Sequence, residues 1–212
     1  MKHIYIIAEI GCNHCGDFEL AKRMVDEAKA CGVDAVKFQT FKAAELISRY
    51  APKADYQKVT TGNEENQLEM TRKLELPYDE FIKLRDYAIS LGLDTFSTPF
   101  DMDSIDFLEK KGQVIWKIPS GEVTNLPFLE RIAKFKITGK KIILSTGMCT
   151  VEEIHQAVDI ICKYEKPENL IILHCNTEYP TPDKDVNLSA IDTLHKEFPG
   201  IATVSYTHLT LP

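Results

Sequence analysis

The sequence predicts an α/β fold, a (β/α)8 TIM barrel that is incomplete, with about seven strands present. Short apolar runs alternate with amphipathic helical stretches, which is typical of parallel strands covered by helices on both faces. The glycine-rich dinucleotide fingerprint of a doubly wound sheet is absent. A closed barrel of this kind takes about 250 residues, and this chain has 212.

Each predicted strand is an apolar run that ends in polar residues or glycine. The runs are 4–8, 33–38, 93–96, 114–118, 141–145, 169–174 and 201–205. Helical patterns cover 17–31, 78–91, 101–111, 125–136, 150–164 and 187–197. The side chains predicted to cap helix N-termini are Asp17, Asp101, Thr124 and Thr150. The glycines predicted to follow helix C-termini are Gly32, Gly92 and Gly112. The stretch 41–77 is too long for a simple connection and is predicted to be an elaborated loop.

Composition argues against several classes of function. The chain has 25 Lys and Arg against 32 Asp and Glu, a net charge of −7, and no basic tract. We therefore expect no nucleic-acid partner and no anionic membrane surface. No apolar stretch is long enough to cross a bilayer, and the segment before Glu9 is too short for a signal peptide. These observations predict a cytoplasmic protein.

The segment GCNHCG, residues 11–16, contains a Cys-x-x-Cys motif. The chain has six cysteines, which we expect to be reduced thiols in the cytoplasm. No second Cys-x-x-Cys completes a four-cysteine zinc site. Two interpretations follow: a metal or redox site, or chemistry carried by Glu9, Asn13 and His14 with the cysteines as bystanders.

Polar side chains lie at the C-terminal ends of six of the predicted strands. They are Glu9, Asn13 and His14, then Lys37, Gln39 and Thr40, then Ser97 and Thr98, then Lys117, Ser120 and Glu122, then Ser145 and Thr146, and finally His174, Asn176 and Tyr179. The C-terminal ends of barrel strands meet on one face, where active sites occur. Two lysines and several hydroxyls at one mouth suit a phosphate or a carboxylate.

Several of these residues also have a purely structural interpretation. A lysine such as Lys37 is more often solvated or ion-paired, and His174 fits a hydrogen-bonded core histidine. The Ser-Thr-Gly at 145–147 fits a helix cap. Lys117 is predicted to have a buried stem and a specific anion partner. Glu9 is costly to bury unless it is hydrogen-bonded or functional, and a carboxylate at the mouth can act as a general base.

In chain order, the segments AEIGCNHCGD, VDAVKFQTF, ADYQKVTTGN, NQLEM, FSTPFD, KIPSGEVTNLP, ILSTGM and LHCNTEYPTP resemble the sialic acid synthase family. This family comprises N-acetylneuraminate synthase-like enzymes, including the legionaminate and pseudaminate synthases. The resemblance implies a barrel followed by an antifreeze-like domain, in a domain-swapped homodimer. It also implies condensation of phosphoenolpyruvate with an N-acetylated amino sugar such as N-acetylmannosamine. The products are a nine-carbon 2-keto acid and phosphate, and Mn²⁺ or Mg²⁺ is required.

The resemblance further implies a role for each mouth residue. Glu9 is the acid/base group that activates water. The residues that hold phosphoenolpyruvate are Lys37, Thr98, Lys117, Ser120, Ser145 and Asn176. Those that orient the sugar are Gln39, Glu122 and Tyr179. The family pattern AEIG-x-NH-x-G makes Cys12 and Cys15 variable positions, which favours the interpretation of the cysteines as bystanders.

Near the C-terminus the resemblance weakens. We expect residues 1–203 to be a truncated synthase barrel domain, residues 204–212 to be a non-native tail, and the antifreeze-like domain to be absent. His208 falls at the first metal-ligand position of the family, but Thr207 replaces the expected aspartate, which argues against it as a ligand. Two alternatives remain: a synthase that is inactive as this truncated chain, or a non-catalytic fragment or binding module. A synthase for a phosphorylated aldose is disfavoured, because arginines are scarce in the motifs.

Overall fold

Seven parallel β-strands alternate with helices in the residues that the structure, a computed structural model, describes: 3–52, 66–178 and 181–206. The strands are β1 (Ile7–Gly11), β2 (Ala35–Thr40), β3 (Asp94–Pro99), β4 (Ile115–Ile118), β5 (Lys141–Ser145), β6 (Leu170–Cys175) and β7 (Ala202–Tyr206). The α-helices are α1 (Phe18–Ala30), α2 (Ala43–Leu46), α3 (Gln67–Arg72), α4 (Tyr78–Ser90), α5 (Met102–Lys110), α6 (Leu126–Ala133), α7 (Val151–Cys162) and α8 (Ala190–Glu197). The predicted α/β class with barrel-type alternation is confirmed.

The strands form two parallel sheets, one in each of two compact units. The unit Met1–Leu108 contains the order β1-β2-β3, and the unit Glu109–Pro212 contains β4-β5-β6-β7. In both sheets each strand pairs with the next strand in sequence, which requires a crossover connection for every pair. This sequential order is the one that a (β/α)8 barrel uses.

Each unit has its own apolar core under its helices. In the first, Phe38 on β2 packs edge to face on Phe81 of α4, with ring centroids 5.9 Å apart. In the second, the fully buried Trp116 on β4 lies 5.1 Å from the ring of Phe135. Burial of such side chains contributes about 1.5–3 kcal/mol each, so these contacts hold the strands that carry the polar residues.

The helix ends follow the predicted signals with one exception. Asp17 accepts a hydrogen bond from the Leu20 amide, Asp101 accepts from the Ser104 amide, and Thr150 forms a capping box. Thr124 was predicted to cap α6, and this is wrong: the side chain of Asn125 accepts from the backbone at the start of that helix. The three glycines predicted after helix C-termini all have left-handed backbones: Gly32, Gly92 and Gly112.

The first strand differs most from the prediction. It was predicted over 4–8, but β1 begins at Ile7, and Ile4, Tyr5 and Ile6 are exposed. The side chain of Asp34 accepts from the Ile6 amide, so this segment is held by a polar contact rather than by burial. Consequently Glu9 lies inside the strand and not after its end.

Other strands also differ from their predicted runs. The predicted run 93–96 ended before Thr98, but β3 extends to Pro99 and contains it. Lys37 and Lys117 lie inside β2 and β4, as they do in the predicted runs 33–38 and 114–118. The stretch 41–77 contains the short helices α2 and α3 in its described parts. Residues 53–65 of that stretch lie outside the described residues.

Candidate functional site

Three predicted site residues meet in the first unit. Glu9 on β1 lies opposite Lys37 on β2, and Lys37 lies beside β3. Lys37 is 7% exposed, and its Nζ forms an ion pair with Glu9 Oε2 and donates to Thr98 Oγ1 at 3.0 Å. The structure therefore brings together a carboxylate, an ammonium and a hydroxyl on three adjacent strands.

The second carboxylate oxygen of Glu9 is buried and has no hydrogen-bonding partner among the described residues. An unsatisfied buried acceptor costs about 1–3 kcal/mol. A Cβ atom added to Gly11 would lie 3.1 Å from this oxygen and 3.5 Å from Gln39 Nε2. Gly11, which our sequence analysis did not single out, thus leaves the space that the carboxylate occupies.

A second cluster lies in the second unit. Lys117 on β4 is also 7% exposed, and its Nζ donates to Ser145 Oγ on β5 at 2.5 Å and to the Ile118 carbonyl at 3.0 Å. The buried stem that the sequence predicted is present. The neighbouring Ser120 Oγ accepts from the Gly147 amide at 2.9 Å, which joins the β4 and β5 loops.

The two lysines share one geometry. Lys37 lies opposite Phe96 and donates to Thr98, two residues further along β3. Lys117 lies opposite Ile143 and donates to Ser145, two residues further along β5. Side chains two residues apart on a strand point to the same face, so each unit holds a lysine over a hydroxyl of the next strand. Each pair provides a fixed positive charge and a hydroxyl that can donate a hydrogen bond, and both features suit an anion.

Glycine is required where the β5 loop approaches the ends of β4 and β6. A Cβ atom on Gly147 would lie 2.9 Å from Thr177 Cγ2, 3.1 Å from Ser120 Oγ and 3.3 Å from the Cys175 carbonyl. Our sequence analysis considered the segment 145–147 only as a helix cap and did not predict this close approach. In both cases the signal was present, since Gly11 and Gly147 each stand inside a motif that carries site residues.

The remaining predicted residues have local partners or fall outside the described residues. Glu122 accepts from Asn125 Nδ2 at 2.7 Å. Asn176 donates to the Asp185 carbonyl at 3.2 Å and accepts from the Glu178 amide at 3.1 Å, so it holds the loop after β6. Tyr179 and His208 lie outside the described residues.

The turn after β1 is built around a buried histidine. His14 is 1% exposed, and its Nδ1 accepts from the Gly16 amide at 3.0 Å. Burial lowers the pKa of His14, which favours the neutral ring that accepts this bond. Gly16 packs against the Lys73 carbonyl, so the Asn13-His14 motif organises a turn beside Glu9.

His174 has the role of a hydrogen-bonded core histidine, one of the interpretations left open above. Its Nδ1 lies 3.2 Å from Ser205 Oγ on β7, and burial lowers its pKa. A cavity of about 230 Å³ opens beside His174 and Cys149, under the start of α8. Burial also raises the pKa of the Cys149 thiol to about 11, so this cysteine stays protonated near neutral pH.

The described residues do not assemble a metal centre. Among these residues, no three His, Cys, Asp or Glu side chains lie close enough together to hold a metal ion. The Nδ1 atoms of His14 and His174 already face protein partners. Within the same residues, no helix is long and apolar enough to cross a membrane.

Comparison with known proteins assigns the family. The model of the NeuB family matches residues 24–208, which is well over half of the chain. The chain belongs to the NeuB family. The resemblance predicted from the sequence motifs is thereby confirmed.

Several relatives of this chain are named as synthases of legionaminic, neuraminic or pseudaminic acids. It is 49% identical over 199 residues to N,N'-diacetyllegionaminic acid synthase of Campylobacter jejuni, a match that covers 93% of this chain and 59% of the relative. It is 46% identical over 197 residues to the enzyme of the same name from Legionella pneumophila, covering 92% and 54%. Human N-acetylneuraminate-9-phosphate synthase is 35% identical over 201 residues, covering 93% and 53%. The NeuB chain thus spans little more than half the length of these relatives.

Solved structures agree with this family fold. The crystal structure of N-acetylneuraminic acid (sialic acid) synthetase from Leptospira borgpetersenii serovar Hardjo-bovis, in complex with citrate, has a TM-score of 0.79 at 32% identity. That match covers 98% of the NeuB chain and 65% of the synthetase chain. The spore coat polysaccharide biosynthesis protein spsE from Bacillus subtilis has a TM-score of 0.77 at 30% identity, covering 97% and 53%.

Proposed function

We propose that this chain carries the phosphoenolpyruvate-binding part of a synthase that condenses phosphoenolpyruvate with an N-acetylated amino sugar. The products are a sialic-acid-type 2-keto acid and phosphate. The names of the C. jejuni and L. pneumophila relatives support an acid of the diacetylated, legionaminic type. The lysine–hydroxyl arrangement within each unit carries the proposal, because a fixed ammonium group beside a hydroxyl suits a phosphate or a carboxylate.

The residues proposed to contact the anionic groups of phosphoenolpyruvate follow from the family resemblance. They are Lys37, Thr98, Lys117, Ser120 and Ser145. Both ammonium groups are already oriented by oxygen atoms, so little reorganisation accompanies binding. Lys37 forms an ion pair with Glu9, so an anion that binds Lys37 shares the ammonium group with the Glu9 carboxylate.

The proposed reaction begins when C3 of phosphoenolpyruvate attacks the aldehyde carbon of the sugar. A carbon–carbon bond forms, the aldehyde oxygen takes up a proton, and positive charge develops at C2. Water adds to C2 and gives a proton to Glu9, whose Oε1 has no hydrogen-bonding partner among the described residues. The bond from C2 to the phosphate oxygen then breaks while the C2 hydroxyl gives its proton to the departing phosphate, which leaves the ketone and free phosphate. The proton that Glu9 received from water balances the one that the aldehyde oxygen took up.

Three further parts of the proposal rest on the family resemblance. Gln39, Glu122, Asn176 and Tyr179 are proposed to contact the substrates. A divalent cation, Mn²⁺ or Mg²⁺, is proposed as a cofactor, although the described residues do not supply its ligands. The full-length protein is proposed to be a cytoplasmic homodimer.

A chimera tests the proposed function. This chain would replace the matching residues of the C. jejuni relative, so that the missing length is supplied. With phosphoenolpyruvate, an N-acetylated amino sugar and Mn²⁺, the chimera should release phosphate and form a 2-keto acid in equal amounts. The chain alone should bind phosphoenolpyruvate, as measured by titration calorimetry, without turnover.

The same experiment contains the outcomes that contradict the proposal. A folded chimera that neither binds phosphoenolpyruvate nor releases phosphate contradicts it. Phosphate release without added sugar indicates a phosphatase instead. Binding by the chain with no turnover in the chimera favours the alternative of a non-catalytic binding module.

A further inference from the structure

The turn after β1 carries two thiols that the proposed reaction does not use. We propose that Cys12 and Cys15 form a redox-active dithiol, which closes to an intrachain disulfide when it meets a small-molecule disulfide such as oxidised glutathione. This inference concerns a modification site and does not rest on the proposed function.

The backbone already holds the two cysteines at a suitable separation. The Cys15 amide donates to the Cys12 carbonyl at 3.0 Å, which closes a four-residue turn. The first and last Cα atoms of such a turn are less than about 7 Å apart. Disulfides span Cα separations of about 4.4–6.8 Å, so the turn holds the two Cα atoms near the distance that a disulfide needs.

The two thiols differ in exposure. Cys15 is exposed and has a left-handed backbone, and its thiol makes one long contact, 3.6 Å to the Asn13 carbonyl. Cys12 is partly buried. Burial raises the pKa of the Cys12 thiol, and the nearby Cys15 raises it further, which is consistent with neighbouring sulfur atoms. The exposed thiol is thus the one that an external disulfide reaches first.

A metal site fits this turn less well than redox chemistry. A tetrahedral zinc site needs four ligands, and the turn offers two thiols. The histidine between them, His14, is buried and its Nδ1 accepts from the Gly16 amide. Among the residues that the structure describes, no third His, Cys, Asp or Glu joins them in a metal-binding group.

The proposed exchange has two steps. The Cys15 thiolate attacks one sulfur of oxidised glutathione, which forms a mixed disulfide and releases one glutathione thiolate. The Cys12 thiolate then attacks the Cys15 sulfur, which forms the intrachain bond and releases the second glutathione. The two protons of the protein thiols end on the two glutathiones, and the protein is oxidised by two electrons.

Peptide mapping tests this proposal, because trypsin cuts after Lys2 and Lys22 and isolates Cys12 and Cys15 in one peptide. The folded chain is treated with oxidised glutathione, blocked with N-ethylmaleimide and digested without reduction. We expect peptide 3–22 to lack two hydrogen atoms and to carry no maleimide until it is reduced. The exposed Cys31 lies in a separate tryptic peptide and serves as an internal control for reagent access.

Two variants identify the attacking and resolving thiols. In Cys12→Ser the mixed disulfide should persist on Cys15, whereas in the parent chain it should resolve. In Cys15→Ser, glutathione should add to Cys12 more slowly. Circular dichroism checks that both variants fold.

Three results overturn the proposal. The first is maleimide on both cysteines of peptide 3–22 while Cys31 has reacted with glutathione. The second is a stable mixed disulfide on Cys15 in the parent chain. The third is a disulfide-linked dimer through Cys15 as the main product on non-reducing electrophoresis.

Discussion

Lys37 and Lys117 are each only 7% exposed, and oxygen atoms of the protein lie within hydrogen-bonding distance of both ammonium groups. Both donate to hydroxyls of the next strand, and Lys37 also pairs with Glu9. Single substitutions test whether these lysines also bind an anion.

Lys117→Met keeps the apolar stem and removes the charge. A hydrogen bond to a charged group contributes about 1.5–3 kcal/mol, so we expect phosphoenolpyruvate to bind about 10- to 100-fold more weakly. Titration calorimetry on the chain measures this change. The matched control is Lys83→Met, which removes an exposed lysine paired with Asp79 one turn away and should leave the affinity unchanged. Equal phosphoenolpyruvate affinities of the parent chain and Lys117→Met would contradict a role for Lys117 in binding the anion.

Glu9→Gln keeps the shape of the carboxylate and removes its basicity. We expect turnover of the chimera to fall by roughly 10²-fold or more, the scale of general acid–base catalysis. Phosphoenolpyruvate affinity should not fall, because Lys37 loses a competing carboxylate. Coupled phosphate-release kinetics and calorimetry measure the two quantities separately. Retained turnover would mean that another group activates the water.

At the scale of elements, the turn after β1 depends on a glycine that nearly touches another segment. Gly16 has a φ of 76°, and a Cβ atom there would lie 2.6 Å from the Lys73 carbonyl oxygen. Gly32 has a nearly equal φ of 77°, but a Cβ atom there has nothing within 4 Å. Alanine substitutions at Gly16 and Gly32 therefore share the backbone strain, and only the one at Gly16 adds a steric conflict.

We expect Gly16→Ala to destabilise the chain by about 1–3 kcal/mol more than Gly32→Ala, the usual scale of an overpacked site. Both variants pay the cost of a left-handed alanine, about 1–2 kcal/mol. Urea unfolding followed by circular dichroism measures the difference. Equal losses in the two variants would show that the 73–75 segment moves away at little cost.

A buried lysine closes the C-terminus of α6. Lys140 is 1% exposed, and its Nζ donates to the carbonyls of Ile132, Ala133 and Phe135 at 3.1, 2.9 and 2.6 Å. It also pairs with Glu165 at 2.7 Å. Ile132 and Ala133 lie in the last turn of α6, where carbonyls lack an amide partner four residues further on, and Phe135 lies just after the helix.

Lys140→Met should cost about 3–5 kcal/mol, because it leaves buried carbonyls and the carboxylate of Glu165 without their partner. The urea midpoint should fall accordingly. Lys134→Met is the control, since Lys134 makes an exposed pair with Glu130 on the same helix and should change the midpoint little. A midpoint for Lys140→Met equal to that of the control would contradict the capping role.

At the scale of the whole molecule, the net charge of −7 is the property that governs encounters with polyanions. Both site lysines are nearly buried, so they add little to the surface potential. We expect no binding to duplex DNA at physiological salt, with a dissociation constant weaker than about 10⁻⁴ M, the weak limit of ordinary non-specific binding. Fluorescence anisotropy of a labelled duplex checks this, and saturable micromolar binding would contradict it.

The sequence by itself determined the features that depend on neighbouring residues. Alternating apolar runs and helical periods predicted the α/β class, and local side-chain chemistry predicted the caps at Asp17, Asp101 and Thr150. The motifs predicted the family. The boundaries of two elements were predicted wrongly. Apolar residues 4–6 precede β1 and are exposed, and Asn125 rather than Thr124 caps α6.

Only the tertiary structure decided which polar atoms meet. Lys37 reaches Thr98 across 61 residues of sequence, and Lys117 reaches Ser145 across 28, because strand register sets these distances. The buried Lys140 cap had no sequence signal, since a lysine after a glycine reads as a surface residue. Such contacts depend on how strands align and helices pack, and hydrophobic periodicity carries no information about a partner that is distant in sequence.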